Sequence, residues 1–163
     1  MLNKKIETRT SNINNKGIFA KEKIFKDEII WSIDPNKDTR KFYNMLRLHE
    51  LPPEEYEIVK QHGYQVGYNI LTVDTDDGKY TNHSCDPNSY NALNGEWVTV
   101  ARRDIEVGEE ITADYGTIMS HAWYEDMICN CGASNCRKLI TKNDYNLPEL
   151  RIIHAGRLDD YLG

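Results

Sequence analysis

Apolar and polar positions alternate in short runs along most of the chain. "GIFA" and "IIW" near the N-terminus, "YQVGYNILTVDT" in the middle, and "WVTVA" and "ITADY" further on carry the β-branched and aromatic residues of strands. Two stretches echo each other. Residues 20–30, "AKEKIFKDEII", and residues 101–111, "ARRDIEVGEEI", share the order Ala, basic, two polar, Ile, three residues, Glu, any residue, Ile. In each, a charged turn separates two β-prone segments, which predicts two similar hairpins in one β domain and not a repeat array.

Between the echoes the pattern changes. "DTRKFYNMLRLHE" sets Phe42, Met45, Leu46 and Leu48 near helical spacing, with Asp38 or Thr39 as N-cap and Pro52 and Pro53 as terminators. "PEEYEIVKQHG" predicts a second helix, with prolines at its start, glutamates in the first turn and Gly63 as C-cap. Strands broken at Gly67 follow, and then "DTDDGKY", whose Asp-Gly reads as a hairpin turn. Near the C-terminus Leu147, Leu150, Ile153 and Leu158 outline an amphipathic helix interrupted by Gly156. The expectation is one mainly β (α+β) domain with a helical insertion at about 38–63 and a helical tail.

Composition narrows the partners. At 163 residues the chain is long enough to bury a core without disulfides. A net charge of −6 and the lack of a basic stripe argue against direct nucleic-acid binding; an acidic surface suits a basic peptide or simply keeps the protein in solution. Ten tyrosines outnumber three phenylalanines and three tryptophans, a balance that suits half-buried strands and pocket walls. "MLNKKIETRT" lacks the apolar core of a signal peptide, and no run has the length of a membrane span. The expected setting is a reducing compartment, cytoplasm or nucleus, where four cysteines serve as ligands or free thiols.

The densest chemistry is "YTNHSCDPNSY" at residues 80–90, which reads as a polar turn, half a metal site, a Cys/His nucleophile pair or a cofactor wall. The cysteines discriminate among these. Cys129, Cys131 and Cys136 form a C-x-C-x4-C pattern in "CNCGASNC", and Cys85 lies far upstream. Buried or free thiols are the plain alternative; a structural zinc held by all four thiolates is the favoured reading, with Gly132 letting the backbone turn beside the sulfurs. Such a site is closed, so the metal would not be catalytic. Cys85 as a zinc ligand is then no nucleophile, and a catalytic histidine usually comes from elsewhere in the chain than His83.

"NHSCDPN" at 82–88, "GEEITADYG" at 108–116 and "CNCGASNC" at 129–136 resemble, in order, the motifs of SET-domain protein-lysine methyltransferases with a post-SET tail. "NNKGIFAKEKIFKDEII" resembles the family's first cofactor segment and "GYQVGYN" its next, so the likeness covers roughly residues 6–140. It implies a β-clip fold of small curved sheets with a pseudoknot where "NHSC" meets "DY". The implied division is a SET domain at 1–124, a zinc-binding post-SET segment at 125–141 and a helical tail at 142–163. The implied activity is methyl transfer from S-adenosylmethionine to the ε-amine of a lysine, leaving S-adenosylhomocysteine. The implied partner is a protein or peptide with an exposed lysine, a histone tail or another basic target, with no nucleic acid and no membrane.

The resemblance also assigns roles. Asn14, Lys16, Gly17, Ile18 and Phe19 would hold the methionine end of the cofactor, largely by backbone. Tyr64 would pack on or hydrogen-bond the cofactor, Tyr80 would wall the pocket, and Asn82 and His83 would meet the amino group and the adenine. Asn130 and Leu139 would cover the adenine from the tail, while Cys85, Cys129, Cys131 and Cys136 hold one structural zinc. Tyr115 is the expected catalytic residue, also touching the cofactor, and aligns the amine.

Five positions depart from the family pattern: Asn15 replaces the first glycine of Gly-x-Gly, Gly63 a serine, Lys79-Tyr80 an Arg-Phe, and Ala113 an aromatic residue. Ala113 lies two positions before Tyr115, so either the channel is roomier or Tyr90 or Trp123 fills it. Little beyond the catalytic domain is expected, as in small viral and bacterial members, which can be delivered to a host nucleus. The competing readings are a catalytically weak SET-fold module that recognises a lysine-bearing partner, and a zinc-dependent structural protein without cofactor.

Overall fold

The echo between residues 20–30 and 101–111 is the organising feature of the fold. In the computed structural model, which describes residues 1–34, 36–92, 97–118 and 125–158, the two stretches face each other. The chain runs through β1 (Ile6–Thr10), β2 (Lys16–Ala20) and β3 (Ile29–Ser32) before the first long insertion. After it come β7 (Asn82–His83), β8 (Ser89–Asn91), β9 (Val98–Ala101) and β10 (Glu110–Ala113). β2 pairs with β10, and β3 pairs with β9.

The two expected hairpins are therefore not hairpins; each unit exchanges strands with the other. The backbone bonds repeat across the pair. Ile24 N–H donates to Ile105 O at 3.0 Å and Ile105 N–H to Ile24 O at 2.8 Å. Ala20 N–H bonds Glu109 O as Ala101 N–H bonds Glu28 O, each at 3.0 Å. Asp27 (φ 66°) and Gly108 (φ 85°) take the same left-handed position in the two turns. The reason is burial: Ala20, Ile24, Ile30, Ala101, Ile105 and Ile111 are all at most 1% exposed in one core. Neither unit alone has a second face to cover these side chains, so each supplies the other's.

The result is a four-stranded sheet in the order β1-β2-β10-β7 and a three-stranded sheet in the order β3-β9-β8. β7 runs parallel to β10, with Asn82 opposite Thr112 and His83 opposite Ala113. This pairing joins "NHSC" to "DY" as the β-clip expectation requires.

The insertion differs from its helical expectation in its first half. Residues 38–41 are irregular, Phe42–Asn44 is strand β4, and Met45–Glu50 is a 3-10 helix capped by Asn44, whose Oδ1 accepts from Leu46 N–H at 2.9 Å. Only Leu48 of the apolar set is buried; Phe42 and Leu46 stay exposed, so the spacing described no single helix face. Asp38 caps nothing and instead binds Arg40. The second helix, α1 (Pro53–His62), forms as expected. Gly63 caps it at φ −71°, required by close approach and not by handedness, since a Cβ there would lie 2.4 Å from Val59 O. β5 (Tyr64–Gly67) and β6 (Ile70–Thr72) complete a sheet with β4.

"DTDDGKY" is a 3-10 turn, Asp77–Tyr80, and not a hairpin, because its flanking strands join different sheets. Asp76 holds it by accepting from Gly78 N–H, Leu2 N–H and Trp31 Nε1–H. In the tail, β11 (Met127–Ile128) pairs with β12 (Leu139–Ile140), and α2 covers only Pro148–Ile153, with Leu150 buried. The helix ends three residues before Gly156, with His154 as its C-cap, so the expected helix running on to Leu158 does not form; Gly156 takes φ 70° in the turn beyond. Trp123 and residues 159–163 lie outside the described residues.

The reciprocal bridge predicts a measurable coupling. Ile24→Ala and Ile105→Ala should each cost roughly 2–5 kcal/mol in urea denaturation. Because they share one bridge, the double mutant should depart from additivity by at least about 0.5 kcal/mol. The exposed control Val107→Ala should stay within about 0.5 kcal/mol.

Candidate active site and metal centre

The parallel β7–β10 pair sets most of the expected site residues side by side. Asn82 is buried, and its Nδ2 donates to Lys16 O at 2.8 Å and to Glu110 Oε1 at 2.7 Å. Ser11 Oγ donates to both oxygens of Glu110 from the β1–β2 turn. Gly17 lies against this cluster: a Cβ there would meet Glu110 Oε1 at 2.2 Å and Asn82 Nδ2 at 3.0 Å. Asn15 adopts φ 39°, the left-handed conformation asparagine tolerates, so the missing glycine is replaced without loss of the turn. Asn14, Asn15 and Lys16 are exposed, Ile18 is wholly in the core, and Phe19 carries the Arg9 guanidinium 4.4 Å above its ring.

Carbonyl and carboxylate oxygens beside a close-packed glycine suit the ammonium end of an amino-acid-like group, so the residues present fit the methionine part of S-adenosylmethionine. Tyr80 lies nearby, with Lys16 Nζ 5.0 Å from its ring centroid and the His62 ring edge-on at 5.5 Å.

Tyr115 is fixed at three points. Its N–H donates to His83 Nδ1 at 3.1 Å, its hydroxyl donates to Thr81 O at 2.8 Å, and Asp114 just before it caps the 3-10 turn Tyr115–Thr117 by accepting from Gly116 N–H at 2.9 Å. Burial, with the charge of Glu110 adding to it, pushes the Tyr115 phenol up to about 12. It is therefore a protonated hydroxyl at neutral pH. Burial holds His83 down to about 4, leaving a neutral ring whose Nδ1 accepts and whose Nε2 faces Cys85 Sγ at 3.3 Å.

Tyr115 also lines a cavity of about 1020 Å³ together with Ala113, Tyr64, Tyr90, Trp31 and Trp97. Gly17 and Asn82 are not among its lining residues. The structure thus places Tyr64 with the cavity, its hydroxyl donating to Asp74 Oδ1 at 2.6 Å and accepting from Arg40 at 3.1 Å. Tyr90, one of the rings named to fill the space at Ala113, lines the same cavity.

The four cysteines converge although Cys85 is distant in sequence. Their sulfurs all lie within 4.8 Å of one another, and Cys85 Sγ is 3.8 Å from Cys129 Sγ. Thiolates at about 2.3 Å around a tetrahedral zinc would stand about 3.8 Å apart, so the donor set fits that metal in size and chemistry. Backbone N–H groups of Cys85 and Arg137 point at Cys131 Sγ (3.5 Å) and Cys85 Sγ (3.3 Å), and Gly132 takes φ 74° in the loop between the ligands. Asn135 Nδ2 donates to Cys85 O at 3.0 Å, docking the tail on the "NHSC" segment. Of the two tail residues expected over the adenine, Asn130 is exposed between two ligands, and Leu139 is 44% exposed opposite Ile128 in the β11–β12 pair.

Three residues carry weight that sequence reading did not assign. Glu110 collects Asn82 and Ser11; its only signal was its place in "GEEITADYG". Arg40, 3% exposed in its side chain, pairs with Asp38 and stacks 4.9 Å from the Trp97 ring. Arg137 grips Asp114 with two 2.7 Å bonds and lies 2.9 Å from Asp144.

The metal reading predicts about one zinc per chain by elemental analysis and a Tm lowered by several degrees on chelation. Cys136→Ser should reproduce both losses, and an unchanged Tm on chelation would contradict the site.

Comparisons with known proteins cover most of the chain and place it in one family. The SET domain family model matches residues 15–116. A histone-lysine N-methyltransferase SETD1B from Xenopus laevis is 30% identical over 142 residues, covering 82% of this chain. The chain spans only 7% of that relative's length. The probable histone-lysine N-methyltransferase set-23 of Caenorhabditis briggsae is 36% identical over 69 residues, covering 39% of this chain and 28% of its own. The solved Plasmodium falciparum protein PFL0690c aligns at a TM-score of 0.51 over 76% of this chain and all of its own, at 24% identity, a likeness of fold alone. With the motif order, the strand pairing and the family match in agreement, this chain belongs to the SET-domain family.

Proposed function

We propose that this chain is a protein-lysine N-methyltransferase that moves the methyl group of S-adenosylmethionine to a lysine ε-amine. The observation that carries the proposal is Tyr115, held by His83 and Thr81 beside the Asn82–Gly17–Glu110 cluster while lining the large cavity. The names of the relatives, histone-lysine N-methyltransferases, agree with it.

S-adenosylmethionine, when bound, would supply a sulfonium methyl to a lysine amine that has already lost its proton to solvent, leaving S-adenosylhomocysteine. The chain's residues supply the rest. Gly17, Asn82 and Glu110 hold the amino-acid end, with Lys16, Tyr80 and His83 around them. The remaining expected contacts, Asn14, Ile18, Phe19, Asn130 and Leu139, belong to the same proposal, Ile18 by backbone alone, since its side chain is in the core. Tyr64 joins from the cavity wall. The Tyr115 hydroxyl, protonated at neutral pH, orients the amine and is not a base. The aromatic walls exclude water and favour the neutral amine, whose free pKa is about 10.4.

The proposed substrate is a basic protein segment, a histone tail among the candidates, and the proposed setting is the cytoplasm or nucleus. The negative charge of the chain and the exposed Glu125 and Asp126 at the cavity rim support that choice. No described helix is long and apolar enough to cross a membrane.

Tyr115→Phe should lower kcat at least about 100-fold while zinc content and S-adenosylmethionine affinity stay within about threefold of wild type. Unchanged transfer would remove Tyr115 from the reaction. Because burial raises the phenol, the wild-type rate should climb from pH 7 to 10 as the lysine deprotonates. It should show no decline from Tyr115 ionisation in that range. A fall beginning near pH 9 would contradict the assignment.

A further inference from the structure

Between the cysteine cluster and Tyr115 lies a buried charge network that neither the metal site nor the proposed reaction requires by itself. The Arg137 guanidinium bonds Asp114 through Nη1 to Oδ2 and Nη2 to Oδ1, both at 2.7 Å, and its Nε is 2.9 Å from Asp144 Oδ2. Asp114 and Asp144 are 2% and 5% exposed. Asp144 is in turn held by Thr141, which donates from its N–H and its hydroxyl.

Burying such a triad is expensive, and apolar residues of similar volume would serve a purely structural purpose as well or better. What the triad does that apolar packing cannot is orient a carboxylate. Asp114 Oδ1 accepts the Gly116 N–H and so sets the turn that begins at Tyr115. An Asp114 without its counter-ion would be an uncompensated buried charge and would give up that geometry.

Arg137 is also placed by the other site. It directly follows Cys136, and its own N–H points at Cys85 Sγ at 3.3 Å. A second link runs parallel to it: Cys85 Sγ to His83 Nε2 at 3.3 Å, then His83 Nδ1 to Tyr115 N–H at 3.1 Å. Both paths leave one sulfur and end on adjacent backbone amides of the Tyr115 turn.

We infer that Arg137 is a positioning residue, which couples the occupancy of the four-cysteine site to the placement of Tyr115 through Asp114. The inference rests on the metal and methyl-transfer readings above. It adds that the tail controls alignment as well as covering a cofactor.

Substitution at Arg137 tests the guanidinium alone, because the backbone N–H facing Cys85 survives any side-chain change. The readout is residue-resolved hydrogen exchange on the full chain, with zinc content measured on the same sample. In zinc-loaded R137Q the Tyr115 and Gly116 amides should exchange at least about tenfold faster than in wild type, while the β1–β2 amides keep their protection. R137K should restore part of the difference, and chelation of wild type should reproduce the local loss. In turnover, kcat of R137Q should fall about tenfold or more with KM for S-adenosylmethionine changed less than about threefold.

Wild-type protection at Tyr115 and Gly116 in zinc-loaded R137Q would overturn the coupling. So would chelation that strips the β1–β2 amides equally, which would make the metal a global stabiliser. Should R137Q not fold, R137K and chelated wild type carry the same comparison. The exchange readout needs no substrate: a protein that transfers no methyl yet shows the exchange pattern would refute the proposed reaction and support the coupling.

Discussion

The reciprocal backbone exchange at Ile24 and Ile105 is the constraint on which the other elements depend. It fixes β2 against β10 and β3 against β9, and with β10 fixed only one edge remains for the short β7. Two residues of parallel pairing would not hold a segment as polar as "NHSC" by themselves. They hold because Asn88 reaches across to Thr112 N–H and Glu110 O, and Ser89 to Thr112 O. These bonds satisfy the backbone of a buried polar strand pair, and the functional residues inherit its rigidity.

That rigidity is spent on a polar interior. Asn82, His83, Asp114 and Asp144 are each 5% exposed or less, an unusual share of buried donors, acceptors and charge for so small a fold. Each has a named partner, and the partners come from β2, from β10 and the turn after it, from the "NHSC" segment and from the cysteine-bearing tail. The tail is thus joined to the body by charge as well as by the packing of Cys129 and Ile140 against Cys85 and Tyr115. Assembly of the site and assembly of the tail become one event.

Much of this was readable in the sequence because motifs fix chemistry where spacing fixes geometry. The cysteine set and helix α1 follow from residue types whose roles are narrow, while the pairing of "NHSC" with "DY" was implied by the family resemblance. The echo between residues 20–30 and 101–111 was visible, but its meaning was not. A strand-turn-strand pattern states that partners are needed and is silent on whose they are. The first half of the insertion misled because Phe42, Met45, Leu46 and Leu48 mimic helical spacing, yet only Leu48 is buried. Local pattern lost there to pairing of β4 with β6 and to the binding of Arg40 by Asp38. Arg137 directly follows the last cysteine, but its partners Asp114 and Asp144 are set by tertiary structure, which no spacing announces.

Tyr115 stands between the Gly17–Asn82–Glu110 cluster and the cavity walled by the insertion and the tail. In the proposed reaction a methyl group crosses between them. The most direct measurement incubates zinc-loaded protein with S-adenosylmethionine and basic peptide substrates, histone tails included, and reads the peptides by mass spectrometry. The proposed reaction predicts increments of about 14 Da confined to lysine side chains and absent without S-adenosylmethionine. A zinc-loaded, folded protein that binds S-adenosylmethionine and leaves every lysine unmodified would contradict it.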